Sequence, residues 1–386
     1  MNPAQQKALL QSCLAPTRDR RPQLGGEEAR VPVSVYLDPA RFEAERALHR
    51  RSLNLVAHTS ELAERGSFVT LTVAGAPVLV VRGDEGGVRA FLNVCRHRGA
   101  TVERRERGMC KRFVCPYHAW SYDTQGTLAK VRHREGFPSA GAEDLSLTPL
   151  ACEAYGPFVW VCPTPGLAPT LDSDARHLVD EIDGLGLGGL EVYAREQRVW
   201  RANWKILVEG GLESYHFKVA HRNTIGSLFA DTTSTFEEHG DHMRSVLPRT
   251  SIASLGADDA SGSRDGDWAL LRHANVVYTL SPNASVLAQQ GHFALILMAP
   301  VGMDETRIDV LTVGRPVPPG AGGERVRAFL ERNHRFTLET LSEDFVLAEE
   351  IQRGLGTGAN EVLRFGRFED ALAAWHRRLD ARLGDC

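Results

Sequence analysis

The stretch NVCRHRGATVERRERGMCKRFVCPYHAWSYD, residues 93–123, carries two short Cys/His pairs, Cys95-x-His97 and Cys115-x2-His118. Seventeen residues separate His97 from Cys115. Each pair follows a strand-like run, where a tight loop can aim two side chains at one place. Two thiolates and two imidazoles suit either a tetrahedral zinc ion or a two-iron, two-sulfide cluster. Zinc sites usually pair Cys with Cys and His with His. Here each loop supplies one of each, which suits a cluster whose two Cys bind one iron and whose two His bind the other. Replacing two thiolates by neutral imidazoles removes negative charge and raises the potential, so such a cluster accepts electrons readily. Cys13, Cys110, Cys152, Cys162 and Cys386 lack a partner at useful spacing and are expected to be free thiols.

Working outward, the chain alternates with period two from Phe68. FVTLTVAGAPVLVVR reads as two strands around an Ala-Gly turn, and GDEGG at 83–87 as a further hairpin turn. Residues 50–163 thus read as an all-β unit. PTPGLAPTLDSD at 163–174 is dominated by Pro, Gly and Asp and marks a boundary. Beyond it, strand-like runs at 276–280, 293–298 and 308–313 mix with helical patterns at 324–353 and 367–383. A further helical run is expected over ANWKILVEGGLESYHFKVAH. The fold class is α+β. By composition ADDASGSRDGD, residues 257–267, is a mobile loop, more an ordinary surface loop than a lid.

Within the helical run, Glu213 and His216 are three apart, so one helical face can present both. His216 and His221 are five apart, about 140° around an ideal helix. They can share a metal only if the helix ends or bulges between them. Two His and one carboxylate on one side of an iron form the facial triad of non-haem Fe(II) oxygenases, which leaves positions open for O2.

Length and charge bound the possibilities. At 386 residues the chain has room for two or three domains, and 45 Lys/Arg against 49 Asp/Glu give no basic surplus for nucleic acid or an anionic membrane. No apolar run is long enough to span a bilayer, and the first residues show no secretory signal. Seven scattered cysteines fit a reducing compartment, so a cytoplasmic location is expected. GLGLGG at 184–189 and GLGTG at 354–358 lie in the wrong context for a dinucleotide fingerprint.

NVCRHRGA and CPYHAWSYD, together with Asn203-Trp-Lys and Glu213-x2-His216-x4-His221, resemble Rieske non-haem iron oxygenases, large (α) subunit. The resemblance covers nearly the whole chain. It implies an N-terminal lead-in at 1–49 packing on the catalytic domain, a Rieske [2Fe-2S] domain at 50–165, and a helix-grip (START-like) catalytic domain at 166–386. It implies that Cys95, His97, Cys115 and His118 hold the cluster, with Tyr117 and Trp120 packed over it. His216 and His221 would bind the mononuclear Fe(II). The third ligand is an Asp in a C-terminal helix, best matched by Asp344 in LSEDFVLAEEIQRGL, with Glu343 and Glu349 as competing carboxylates.

The acid before the first iron histidine is usually Asp in this family and bridges to a cluster histidine of a neighbouring subunit. Here it is Glu213, as among oxygenases of choline, carnitine and betaines. Glu209, one turn earlier, is read as structural in preference to a proton-relay acid. The resemblance implies O2 as cosubstrate, a separate reductase or ferredoxin supplying electrons from NAD(P)H through flavin, and a homotrimer. The product is a hydroxylated or demethylated small molecule, with ring cis-dihydroxylation as the alternative. A Rieske electron carrier is a different-class alternative, and it leaves His216, His221 and Asp344 unexplained.

Overall fold

The computed structural model describes residues 1–138, 144–255 and 268–384. Residues 257–267, expected to be a mobile loop, lie outside these, as does Cys386. The chain divides into two compact units, residues 46–171 and residues 1–45 with 172–386.

The smaller unit is all-β. A five-stranded antiparallel sheet places Ser67–Val73 beside Ala76–Arg82, joined by a turn in which Ala74 and Gly75 both take positive φ. That conformation matches the right-handed twist of the two strands it joins. Two three-stranded sheets complete the unit. One of them pairs Arg112–Val114 with Ser121–Asp123 and so holds the second Cys/His loop between its strands. Phe68, Phe113, Trp120 and Tyr122 fill the core beneath the loops.

The larger unit is built on a seven-stranded antiparallel sheet. Its spatial order is Glu191–Trp200, Glu305–Gly314, His292–Gly302, Ala284–Gln289, Ala274–Leu280, His242–Pro248, Thr235–His239. The 35-residue helix Ala321–Leu355 packs on it, and Asp370–Gly384 forms the last helix. Both helices fall where the sequence pattern places them, and the mixed helix and antiparallel sheet is the α+β arrangement expected.

One expectation is corrected. The helical run over 202–221 is helix only at Trp204–Glu209; Gly210 and Gly211 end it, and residues 210–228 run as successive turns. Two consecutive glycines cost a helix about 1 kcal/mol each. The short helix is instead fixed by its first three residues. The Asn203 side chain caps it by accepting from Lys205 N at 3.1 Å, and its amide donates to Tyr36 O at 3.1 Å and Met303 O at 2.8 Å. Trp204 Nε1 and Lys205 Nζ both donate to Glu45 Oε2, at 2.9 and 2.8 Å.

Glu45 and Lys205 are each 1% exposed, so breaking the pair leaves an uncompensated buried charge. Glu45→Ala should therefore lower stability by about 3–5 kcal/mol, read as an earlier urea-unfolding midpoint. A midpoint unchanged from wild type would show that the ammonium finds water or another partner.

Candidate active site

The two Cys/His loops are built alike. Gly99 N donates to Cys95 O at 2.9 Å and Ala119 N to Cys115 O at 3.0 Å; Cys95 N and Cys115 N each donate at 2.8 Å, to Ala100 O and Trp120 O. The fourth residue after each cysteine, Gly99 or Ala119, has positive φ. The result buries both thiols and leaves both imidazoles part-exposed. The His97 and His118 rings lie 4.7 Å apart, His97 stacks on buried Trp120 at 4.9 Å, and Tyr117 covers His118 at 3.7 Å while half exposed itself. Burial raises the Cys95 thiol above its ordinary pKa, against a hydrogen bond with Tyr122 Oη at 3.4 Å.

The residues fit a [2Fe-2S] cluster. His118 Nδ1 is buried without a hydrogen-bond partner, as a ligand atom would be. Among the described residues, the groups that close onto one point do not include these four. None of the six described cysteines forms a disulfide.

A second set of groups does close onto one point. One nitrogen each of His216 and His221 and one oxygen of Asp344 lie within 4.8 Å of one another. Asp344 Oδ1 is 2.9 Å from His221 Nε2 and 3.4 Å from His216 Nε2. The turns at 210–228 make this possible, because both histidines leave the helix before they must share a face. Gly226 closes this segment, since a Cβ there would stand 2.7 Å from Phe217 O and 2.8 Å from His221 O. Lys218 Nζ ties it down through Gly226 O at 2.7 Å and Phe229 O at 2.8 Å.

Each imidazole has a carboxylate behind it. Glu213 bonds His216 Nδ1 and accepts from the backbone N–H groups of Tyr215 and His216. Glu343 Oε2 holds His221 Nδ1 at 2.8 Å and accepts from Thr224 Oγ1 at 2.5 Å. Once a metal displaces the second ring proton, donation from Nδ1 would fix the tautomer and leave the Nε2 lone pairs for the ion. His216 Nε2 is buried and makes no hydrogen bond, so the trio fits a divalent cation.

The structure also separates the candidate carboxylates. Asp344 joins the histidines, Glu343 backs one of them, and Glu349 lies away from them, accepting from Arg201 N at 3.0 Å. Glu209 accepts from Tyr36 Oη at 2.7 Å and bonds His376 Nε2 at 2.8 Å in a buried network, and it also lines the cavity described below. Glu343's role behind His221 was not read from sequence; its place beside Asp344 was the only available signal.

Burial opposes charge on His216, yet the Asp344 and Glu213 carboxylates override it and raise its pKa to about 10. Asp344 is pulled below its ordinary value by the two histidines despite burial. A metal ion must displace the His216 proton, so Fe(II) uptake by metal-free protein should strengthen as pH rises toward about 10. Each proton released gives up to about tenfold in apparent affinity per pH unit. Anaerobic titrations at about pH 6.5 and about pH 8.5 would show this, and equal affinities would count against it.

A cavity of about 440 Å³ opens beside the trio, lined mainly by apolar side chains that include Phe217, Phe229, Leu247, Val277, Leu287 and Ile296.

The family model for the ring-hydroxylating alpha subunit catalytic domain matches residues 187–385. The chain belongs to the ring-hydroxylating alpha subunit family. A Rieske [2Fe-2S] domain model matches residues 52–141. Together these domains call for a [2Fe-2S] cluster and a mononuclear iron.

The chain is 33% identical over 214 residues to the glycine betaine monooxygenase oxygenase subunit of Chromohalobacter salexigens, covering 55% of this chain and 47% of that one. It is 33% identical over 211 residues to the carnitine monooxygenase oxygenase subunit of Escherichia coli, covering 52% and 54%. The chain therefore spans about half the length of these curated relatives. Among solved structures, a quaternary ammonium Rieske monooxygenase in complex with L-carnitine matches with a TM-score of 0.74 at 23% identity, covering 92% of this chain and 95% of that one. At that identity the likeness is one of fold. No helix among the described residues is long and apolar enough to cross a membrane.

Proposed function

We propose that this chain is the terminal oxygenase component of a multicomponent Rieske oxygenase, acting as a monooxygenase on a small organic substrate. The observation that carries the reading is the convergence of His216, His221 and Asp344 on the wall of an apolar cavity, in a chain with a Rieske domain. Cys95, His97, Cys115 and His118 hold the cluster, and His216, His221 and Asp344 hold the Fe(II). When bound, these groups supply stored electrons and a site for O2.

The chain's own residues do the rest. Glu213 and Glu343 keep the two imidazoles as Nδ1–H tautomers. The phenyl and aliphatic side chains of the cavity exclude water from the reacting carbon. Glu213 Oε1 meets His216 Nδ1 alone and retains a second lone pair, with which it takes an N–H from a cluster-binding histidine of a neighbouring copy.

A head-to-tail homotrimer meets that need. Residues 46–171 carry 16 Lys/Arg against 11 Asp/Glu, whereas the other unit carries 29 against 38, so unlike units of two copies attract. The electron donor is a separate reductase or ferredoxin that draws on NAD(P)H through flavin. A cytoplasmic location is consistent with six free cysteines among the described residues.

The substrate class we favour is a quaternary ammonium compound that loses a methyl group as formaldehyde. Support comes from Glu213 in place of Asp, from the two named relatives, and from the faces of Phe217 and Phe229, which can hold an alkylammonium group. The test is O2 uptake by purified protein with NADH and a generic Rieske reductase, screened over carnitine, glycine betaine and choline with formaldehyde assayed. Formaldehyde formed in step with O2 consumption is the expected result. A cis-diol from an aromatic substrate, with no formaldehyde from any amine, would reject the demethylase reading.

A further inference from the structure

The cavity face of the large sheet changes character along its strands. Val277 and Leu287 give way, two residues on, to Asn275 on one strand and Gln289 on the next, and all four line the cavity. The neighbouring strand His242–Pro248 brings Leu247 to the cavity, paired with Asn275. Arg249 follows in extended backbone, with φ −81° and ψ 155°, and continues the ladder by donating its N–H to His273 O at 2.7 Å. Alternation along extended backbone therefore puts Arg249 on the Leu247 side of the sheet.

The guanidinium stands behind the cavity wall, touching the lining residues Asn275 and Phe229 without itself being one of the lining residues. Nη2 donates to Asn275 Oδ1 at 2.7 Å, and the guanidinium carbon lies 5.7 Å from the Phe229 ring. Among the described residues, buried Nε has no hydrogen-bond partner and no carboxylate forms an ion pair with Arg249. Burial alone draws its pKa below the ordinary value. Nearby His292, which pairs with Gln289 across the strands, also has a buried Nε2 without a partner. Arg249 is part-buried, and a guanidinium that gives up part of its water and gains no anion is a place where an anionic ligand is favoured.

Phe217 and Phe229 separate this corner from the trio. The His216, Phe217 and Phe229 rings follow one another at 4.8 and 5.3 Å.

We propose that Arg249, with Asn275, is an anion subsite at the polar end of the cavity, and that the substrate is a small molecule carrying a carboxylate there. The guanidinium supplies a charge-assisted hydrogen bond and Asn275 an amide donor. The phenyl pair lies alongside the ligand's apolar or alkylammonium part, and its far end reaches the His216, His221 and Asp344 corner. The inference rests on the oxygenase reading only for which end of the ligand reacts.

Binding tests it without turnover. Isothermal titration of the purified metal-loaded chain would compare γ-butyrobetaine with its primary amide, and benzoate with benzamide, so that within each pair an acceptor-only carboxylate is exchanged for a neutral amide of similar size. Wild type should bind at least one acid about tenfold or more tighter than its amide. Arg249→Gln should abolish that preference while amide affinity stays within about twofold, and Arg249→Lys should keep part of it. Unchanged iron content and visible spectrum in Arg249→Gln exclude misfolding as the cause. Wild type that binds neither acid, or that shows no preference, overturns the proposal, as does an Arg249→Gln variant that keeps the preference. Loss of the oxygenase reading would show instead in metal content, with acid binding retained.

Discussion

Replacing His216 with alanine should remove the mononuclear iron, taking the chain from about three iron atoms to about two, with turnover falling to background. The visible spectrum of the cluster should be unchanged, because Cys95, His97, Cys115 and His118 belong to the other compact unit. The size of the effect follows from the donor count. The trio has only three side chains, and without His216 the remaining pair is His221 and Asp344, 2.9 Å apart. Two donors hold a ferrous ion far more weakly than three, and with no iron there is no site for O2. His216→Ala leaves a gap beside Phe217, so folding should be checked by circular dichroism. Metal analysis that still finds three irons in a folded variant would reject the assignment.

Glu213→Ala should leave both metals in place and stall turnover. The expected loss is one of coupling, since Glu213 is not within the converging set of donor atoms. Its carboxylate holds His216 Nδ1 and two backbone N–H groups. Losing an outer-shell carboxylate of this kind typically costs about 10–100-fold in metal affinity or activity. If Glu213 also joins two subunits, the loss in rate should be larger than that, while iron content at saturating Fe(II) stays near wild type. Rapid-mix reoxidation of the prereduced cluster, with substrate and O2 present, separates the two effects. A slowed reoxidation with full iron occupancy fits a bridge. Reoxidation at the wild-type rate would reduce Glu213 to a brace for His216. Glu213→Gln keeps the shape and much of the hydrogen bonding, so it should fall between the two.

The cluster loops were legible because each ligand pair lies within four consecutive residues of a single hairpin-like turn, so spacing alone carries the geometry. Their near-identical backbone bonding, from Cys95 to Ala100 and from Cys115 to Trp120, is the structural form of that spacing. The iron trio was legible only in part. His216 and His221 are near in sequence, but Asp344 comes from a helix more than a hundred residues on, and only family resemblance pointed to it.

The helix expected through His221 fails at Gly210-Gly211, a breaker signal outweighed by the apolar periodicity around it. Glu45, Tyr36 and Arg249 carried no local signal. Their importance arises from tertiary contacts: Glu45 with Trp204 and Lys205, Tyr36 with Glu209, and Arg249 with Asn275. A buried charge is invisible in a sequence until its partner is known.

One chain is expected to hold two different iron sites. Purified protein reconstituted anaerobically with ferrous salt and sulfide, then desalted, should contain about three irons and about two acid-labile sulfides per chain. Dithionite reduction should produce the electron paramagnetic resonance signal of a two-iron cluster with mixed Cys and His ligands. A colourless protein holding zinc alone, or one with no such signal on reduction, would contradict the account.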